Sequence, residues 1–531
     1  MLNLQEEIVL KIIKSKPKTD NALGIIVRSV LRNQKNIKVV PAKSELLLAY
    51  HNLQKKHKIK TTPWLEKLLV KRAVRTLSGV SIITVLTKAF PCPGKCLYCP
   101  EEKNMPKSYL ADEPAAARAL SLKFNPYKQV TTRLVALKNN GHPTDKIELI
   151  VKGGTWNAYD LKYQYWFITM CFIGANNSKT KLKTTDGWDK IKKTLTKEQK
   201  KNETAKHRII GLTLETRPDQ INIKTIQEMR ELGCTRVEIG VQTIDEDILR
   251  LVHRGHGVKE IIDATKLLKQ YGFKVDYHLM PQLPGSTSAK DIKMMREIFS
   301  NPDFRPDMIK IYPCTVVKNS PLFKMFQQGK YKPYSDKKLI AVIKTIKQIV
   351  PGYVRISRLI RDIPGGHIQA GNKVTNLRQL IQTQMKAEGL FCKCLRCREA
   401  GHQIEISNKI PRLFIEKYDS SGGKEYFISF ENKEQNTVFA FCRLRIDREG
   451  YFPAFVRELH TYGQLVKIGK ADKTARQHQG LGTRLMAEAE KICQKEQVEK
   501  LAVISGVGVR GYYKKMGYRL KKGYMVKTLS S

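Results

Sequence analysis

Three cysteines stand in "PCPGKCLYCP", residues 91–100: Cys92, Cys96 and Cys99, directly after the apolar run "SIITVLTKAF". Thiolates at C-x3-C-x2-C spacing can hold a [4Fe–4S] cluster and leave one iron without a protein ligand, which is useful only if a cofactor binds there. Structural zinc takes four ligands, and neither His nor Cys occurs in the next several residues, so the cluster is favoured over zinc. A second set, Cys392, Cys394 and Cys397 in "CKCLRC", suits structural zinc with a distant fourth ligand, His402 or His460. Unliganded thiols are the alternative. The other cysteines, Cys171, Cys234, Cys314, Cys442 and Cys493, lie in apolar surroundings and read as core. "QHQGLGT" offers a different chemistry. As Q-x-x-G-x-G opening a helix, Gly480 and Gly482 let backbone N–H groups approach a pyrophosphate at the positive helix end, with Gln477, His478, Gln479, Leu481 and Thr483 completing the loop. "KGGT" (Lys152, Gly153, Gly154, Thr155) closes a further apolar run, where a glycine pair by itself reads as a turn.

These residues need a scaffold, and a chain of 531 residues supplies two or three domains. Residues 1–78 are basic and helical in pattern. From about residue 80, six β-rich runs alternate with helix-length segments: "SIITVLTKAF", "IELIVKGG", "IIGLTLETRP", "TRVEIGVQT", "KVDYHLMPQLPG" and "MIKIYPCTVV". That alternation predicts an α/β fold, a partial (βα)6 barrel, with its chemistry at the C-terminal ends of the strands, where the cysteine loop falls. Residues 176–206 break the pattern with many lysines and little apolar content, and read as a surface insertion that could touch a polyanion or be merely solvated. After "GLFCKCLRCREAGH" a separate α+β domain with its own core is expected. It has two strands joined by a polar turn, a strand "AFVRELHTYGQLVKIG", helix "GLGTRLMAEAEKICQKE", strand "KLAVISG" and helix "RGYYKKMGY".

The net charge is +47, from 96 Lys and Arg against 49 Asp and Glu. This points to a polyanion partner, with nucleic acid favoured over a merely solvated basic surface and over phospholipid. Lys55, Lys56, Lys58, Lys71, Arg72 and Arg75 in the N-terminal helices are the candidate phosphate contacts. No stretch is apolar enough to span a membrane, the N-terminus does not read as a secretory signal, and a cytoplasmic location with reduced thiols is expected.

The cysteine loop after the first barrel strand resembles the radical S-adenosylmethionine superfamily, in which the open iron binds that cofactor and a strand end like "KGGT" binds its amino group. The order strand, Q-x-x-G-x-G, helix, "KLAVISG", "YYKKMGY" resembles the acetyl-CoA loop of GCN5-related N-acetyltransferases (GNAT). That resemblance puts Tyr512 and Tyr513 near the thioester sulfur, with aromatic packing as their alternative role. The pairing of both, with "TLETRPD", "LMPQLPG", "RELHTYG" and "VISGVGVRGYYKKMGY" in matching order, resembles over nearly the full length the catalytic subunit of Elongator and its prokaryotic single-chain relatives, the tRNA wobble-uridine acetyltransferases. The short gap between the first two cluster cysteines fits the prokaryotic members.

The resemblance implies a basic tRNA-binding region (1–78), a radical domain (79–390, with the insertion at 176–206), a Cys-rich zinc linker (391–402) and an acetyltransferase domain (403–531). It also implies the reaction. The cluster reduces S-adenosylmethionine, the resulting radical takes hydrogen from the acetyl methyl of acetyl-CoA, the carbon radical attacks C5 of the wobble uracil, and hydrolysis of the CoA thioester leaves 5-carboxymethyluridine. The readings weighed against it are a protein-lysine acetyltransferase with a structural cluster and a non-catalytic tRNA scaffold. Glu215, Arg217, Gln242, Arg254, His256 and His278 lie at or beyond strand ends, where they could touch cofactor or tRNA or simply stabilise loops. The sequence leaves a homodimer open and does not imply Elongator-type partner subunits.

Overall fold

The computed structural model describes residues 2–32, 40–56, 58–70, 79–402, 410–462 and 480–529. Four N-terminal helices, α1 (Leu4–Ser15), α2 (Asp20–Arg32), α3 (Lys43–Lys55) and α4 (Pro63–Leu69), enclose a small core of their own around Ile8, Ile12, Val27, Leu46, Tyr50 and Leu69. A capping box starts α1: the Asn3 side chain accepts from the Glu6 N–H at 2.8 Å, and the Asn3 N–H donates to the Glu6 carboxylate at 3.3 Å. Glu6 is buried, and its carboxylate is neutralised by Lys56 at 2.7 Å. Lys55, Lys56 and Lys58 are all exposed, and Lys56 in addition has this internal partner. Lys71, Arg72 and Arg75 fall outside the described residues.

The expected barrel is present. Strands β1 (Ser81–Leu86), β2 (Lys146–Lys152), β3 (Arg208–Thr216), β4 (Arg236–Gln242), β5 (Lys274–Leu279) and β6 (Met308–Ile311) pair in parallel in chain order. A short ribbon of β7 (Val316–Val317) and β9 (Ile368–Ala370) follows β6, and β8 (Arg355–Arg358) adds a seventh parallel strand beside it. The connections carry α5 (Pro114–Ser121), α6 (Pro126–Asn139), α7 (Leu161–Asn176), α8 (Trp188–Asn202), α9 (Ile223–Glu231), α10 (Glu246–Leu251), α11 (Val258–Gln270), α12 (Ser288–Ser300), α13 (Leu322–Gln327), α14 (Asp336–Ile349) and α15 (Leu377–Ala387). Alternation along the strands divides them into two faces. Ile147, Leu149 and Val151 of β2 and Val237 and Ile239 of β4 join the core, while Glu148, Lys152, Arg236 and Glu238 line the lumen.

The lysine-rich insertion is not a bare loop. Its residues 188–202 form α8, which packs on α7 through Ile191 and Leu195. Buried Glu198 accepts from Asn176, Ser178 and Thr180 at 2.7–2.9 Å, and Asn202 bonds Asn176, His207 and the Ile209 N–H. Only its outer face, with Lys193, Lys197, Lys200 and Lys201, is solvated.

After α16 (Leu395–Arg398), the C-terminal sheet runs in the order β10 (Arg412–Ser420), β11 (Gly423–Glu431), β12 (Val438–Ile446), β13 (Ala454–Thr461), β14 (Lys500–Val503), β16 (Tyr524–Thr528), β15 (Arg519–Lys521). All its pairs are antiparallel except β13–β14. Helix α17 (Leu481–Lys495) covers it, and α18 (Arg510–Lys514) lies near β15. The expectation of separate cores fails. One continuous apolar cluster runs through barrel and C-terminal sheet, and buried arginines on the C-terminal strands are satisfied in part by barrel groups. Arg457 donates to both Asp307 oxygens, at 2.7 and 2.5 Å, and to Glu425, while Arg443 reaches the Tyr353 carbonyl and Glu458. A buried guanidinium is tolerable only when so paired, and this fixes the two units against each other. Among the described residues no helix is long and apolar enough to cross a membrane.

Candidate functional site

The cysteine loop leaves β1 at Thr87, whose N–H donates to the Lys152 carbonyl at 2.9 Å. It is braced where Leu97 N–H donates to Val252 and Leu322 N–H donates to Leu97. Cys92, Cys96 and Cys99 are free thiols, and all three line one wall of a cavity. The Cys92 sulfur receives the Gly94 N–H at 3.4 Å and lies 3.5 Å from the Thr155 hydroxyl. The Cys96 sulfur receives the Arg254 Nη1 hydrogen at 3.4 Å. A hydrogen bond from Cys99, helped by the Arg254 charge, brings the Cys96 thiol down to about 4. Three cysteine sulfurs along one cavity wall, one of them beside the Arg254 guanidinium, are a donor set that fits an iron–sulfur cluster.

The glycine pair after β2 is required by geometry. Gly153 has φ +139° and a Cβ there would overlap Thr87 Oγ1, while Gly154 has φ +92°. These two residues let the strand end turn beneath the cysteine loop and carry Thr155 to Cys92. Lys152, grouped with them on sequence, belongs to the charges of the lumen: its ammonium lies 3.5 Å from Glu215 and 3.6 Å from Glu238.

That lumen network has Glu238 at its centre, fully buried and in contact with Lys310 and with His278 Nε2 at 3.0 Å. His278 Nδ1 is 3.4 Å from Glu215, which also accepts from the Tyr109 hydroxyl at 2.8 Å. Burial alone would raise the Glu238 carboxyl, but Lys310 and Lys152 hold it well below the usual carboxylate range. Towards the C-terminal domain, Arg236 pairs with Glu148 at 2.7 Å and Lys274 with Glu458 at 3.5 Å.

At the far end, Gly480 (φ +70°) opens α17. Gly482 sits so close to Tyr512 that a Cβ would lie 2.8 Å from the phenol oxygen. The two adjacent tyrosines part company: Tyr512 is 39% exposed beside Gly482 and Thr483, whereas Tyr513 is buried against Tyr518 in the core. Leu481 is also buried. Gln477, His478 and Gln479 lie outside the described residues. One cavity of about 1460 Å³ joins both ends, from Cys92, Cys96 and Cys99 through Glu238 and Glu458 to Gly480, Gly482 and Tyr512.

Comparison with known proteins finds matches along most of the chain. Residues 158–298 match the Radical SAM superfamily, 306–387 the Radical SAM C-terminal domain, and 396–518 the Acetyltransferase (GNAT) family. The chain is 44% identical over 484 residues to a tRNA uridine(34) acetyltransferase of Methanocaldococcus infernus, covering 87% of this chain and 88% of that protein. It is 38% identical over 481 residues to Elongator complex protein 3 of Homo sapiens, covering 86% of each. The solved structure of the archaeal Methanocaldococcus infernus Elp3 with an N-terminal deletion superposes with TM-score 0.73 at 41% identity, covering 85% of this chain and all of that one.

The chain belongs to the Elongator complex protein 3 family.

It is accordingly an acyl-transferring enzyme built from radical SAM and GNAT units, and the radical SAM family implies S-adenosylmethionine and a [4Fe–4S] cluster. In this member of the family the second cysteine set is also gathered. The sulfurs of Cys392, Cys394 and Cys397 lie within 4.8 Å of one another, with Lys347 Nζ 3.7 Å from Cys397. His460 is not in that group: it borders the cavity, and burial lowers its imidazole pKa. The side chain of His402 lies outside the described structure.

Several groups that shape the site went unnoticed in the sequence. The Tyr159 hydroxyl bonds Thr87 and the Lys88 and Gly153 carbonyls, and Arg361 ties Ser108 to Glu113 across the cavity rim. Nothing in their local sequence marks either. Glu238, Asp276 and Lys310 did carry a signal: each is a charge flanked on both sides by apolar or aromatic residues in a parallel strand, which a polar lumen accommodates.

Proposed function

We propose that this protein modifies the wobble uridine of tRNA, forming 5-carboxymethyluridine from acetyl-CoA by S-adenosylmethionine radical chemistry. The observation that carries the reading is the single cavity joining the cysteine loop to the Q-x-x-G-x-G helix start, since a radical donor and an acyl donor can act on one acceptor only if they share a space. The tRNA uridine(34) acetyltransferases among its relatives support the substrate. When bound, the cluster and S-adenosylmethionine supply a hydrogen-abstracting radical, and acetyl-CoA supplies the two-carbon unit.

The chain's own residues hold and orient these groups. Cys92, Cys96 and Cys99 ligate the cluster, and Gly153, Gly154 and Thr155 let the methionine end of the cofactor approach. Gly480, Gly482 and Thr483 receive the pyrophosphate on backbone N–H groups, and Tyr512 faces the thioester. Cys392, Cys394 and Cys397 bind structural zinc, and Lys55 and Lys58 contact tRNA phosphates. The test is mass spectrometry of tRNA nucleosides after anaerobic incubation with reductant, S-adenosylmethionine and acetyl-CoA. 5-Carboxymethyluridine should form only with all three present, and its formation without S-adenosylmethionine sinks the reading.

A further inference from the structure

Arg254 is a buried cation with no carboxylate partner among the described residues. It is 5% exposed, and its Nη1 donates to Cys96 Sγ at 3.4 Å. Nη2 donates to the Gly240 carbonyl, and Nε is buried without a partner. Neighbouring Arg217 differs: it is clamped by Asp219 through two bonds of 2.8 and 3.0 Å, so that carboxylate is already spent. A guanidinium in so dry a place costs several kcal/mol unless negative charge compensates it.

The fold makes room for this group deliberately. Gly240 lies on the lumen face of β4 with Arg236 and Glu238, and a Cβ at that position would lie 2.6 Å from Arg254 Nη2. Gly255 (φ +75°) turns the chain immediately after the arginine. Its one hydrogen bond to another side chain among the described residues is to the Cys96 sulfur of the cysteine loop. The hydrogen-bond partners of the Cys92 sulfur, Gly94 N–H and Thr155, are neutral, whereas Arg254 brings a charged donor to Cys96.

We infer that Arg254 is a positioning residue whose guanidinium sets the reduction potential of the cluster held by Cys92, Cys96 and Cys99. The inference rests on the reading of those cysteines as cluster ligands. The couple is the addition of one electron, from a low-potential external donor, to [4Fe–4S]2+, giving [4Fe–4S]+. That electron adds one negative charge beside the arginine, so a fixed cation and its N–H···S bond stabilise the reduced form more than the oxidised one and raise the potential. Reduction is the step that arms the radical chemistry.

The test is an anaerobic redox titration of the reconstituted full-length protein, poised with dithionite and mediators and followed by electron paramagnetic resonance, normalised to bound iron. Arg254→Gln should lower the reduced-to-oxidised ratio at a fixed poise at least tenfold, about 59 mV for a one-electron couple. Arg254→Lys, which keeps the charge, should fall between it and the unaltered protein. Gly240→Ala retains every arginine atom but displaces the guanidinium, and it should lower the ratio in the same direction. It serves as the measurement if Arg254→Gln fails to load iron. An unchanged potential in whichever of Arg254→Gln and Gly240→Ala carries a cluster overturns the inference. Failure of the unaltered protein to take up a cluster would instead remove the ligand assignment beneath it.

Discussion

Side chains at the acyl end of the cavity are set by a single clearance. Gly482 lies in the first turn of α17, where its missing Cβ leaves space that the Tyr512 phenol occupies at 2.8 Å. Gly482→Val therefore pushes Tyr512 away and adds bulk over the N–H groups that would receive a pyrophosphate. We expect acetyl-CoA binding to weaken at least tenfold by calorimetry while the melting temperature changes little, because Tyr512 is partly exposed and carries little core packing. Unchanged affinity would remove the loop from the site. Tyr512→Phe separates the two contributions: it keeps the ring and the clearance and deletes only the hydroxyl. The sequence identified this glycine pair and both tyrosines but could not rank the tyrosines, because adjacent residues on a short helix point in different directions and only the packing of Tyr513 on Tyr518 shows which one is core.

Secondary-structure elements show where the sequence was legible and where it was not. The first six barrel strands announced themselves by apolar runs ending in glycine, proline or polar clusters. β8, "RISR", has one buried apolar residue, Ile356, and no such run, so it is a strand only because β6 offers it a partner. α8 was hidden for a different reason. Its apolar stripe is thin, Trp188, Ile191 and Leu195, and the rest of its buried face is Glu198, Gln199 and Asn202, which dock by hydrogen bonds rather than by hydrophobic area. Composition reads such a segment as solvated. The distinction is testable: Glu198→Ala removes the buried carboxylate that accepts from Asn176, Ser178 and Thr180, at a cost of about 1–3 kcal/mol. It should raise hydrogen exchange across α8 while amides of β4 and β5 stay protected. Equal exchange in variant and parent would return the segment to a loosely held loop.

At the scale of the whole molecule charge acts twice, in the buried pairs between barrel and C-terminal sheet and toward a polyanionic partner, and each has its own signature in solution. Between barrel and C-terminal sheet, burial would raise the Glu458 carboxyl, but Lys274 and Arg443 hold it at about 2, below its ordinary 4.5. A carboxylate depressed on folding contributes stability that is fully present above 4.5 and is lost as pH falls towards about 2. Asp307, held low by Arg457 and Arg443 against its burial, acts in the same direction. The melting temperature should therefore decline with acidification below the ordinary carboxylate range, and Glu458→Gln should flatten that decline while lowering stability at neutral pH. An equal slope in both proteins would contradict the interface assignment. At the other end of the chain, a net charge of +47 predicts salt-sensitive tRNA binding, and the N-terminal helices divide their lysines by role. Lys55, Lys56 and Lys58 are all exposed, and Lys56 in addition neutralises buried Glu6 at 2.7 Å. Replacing Lys55 and Lys58 by Gln should reduce the slope of log affinity against log salt by roughly 0.7–0.9 for each lysine–phosphate pair removed. Lys56→Gln should instead leave the Glu6 carboxylate unpaired and lower the unfolding temperature of the helical bundle, with a smaller change in the salt slope. If the double substitution leaves the slope unchanged, the tRNA phosphates are bound elsewhere, and the outer lysines of α8 become the next surface to neutralise.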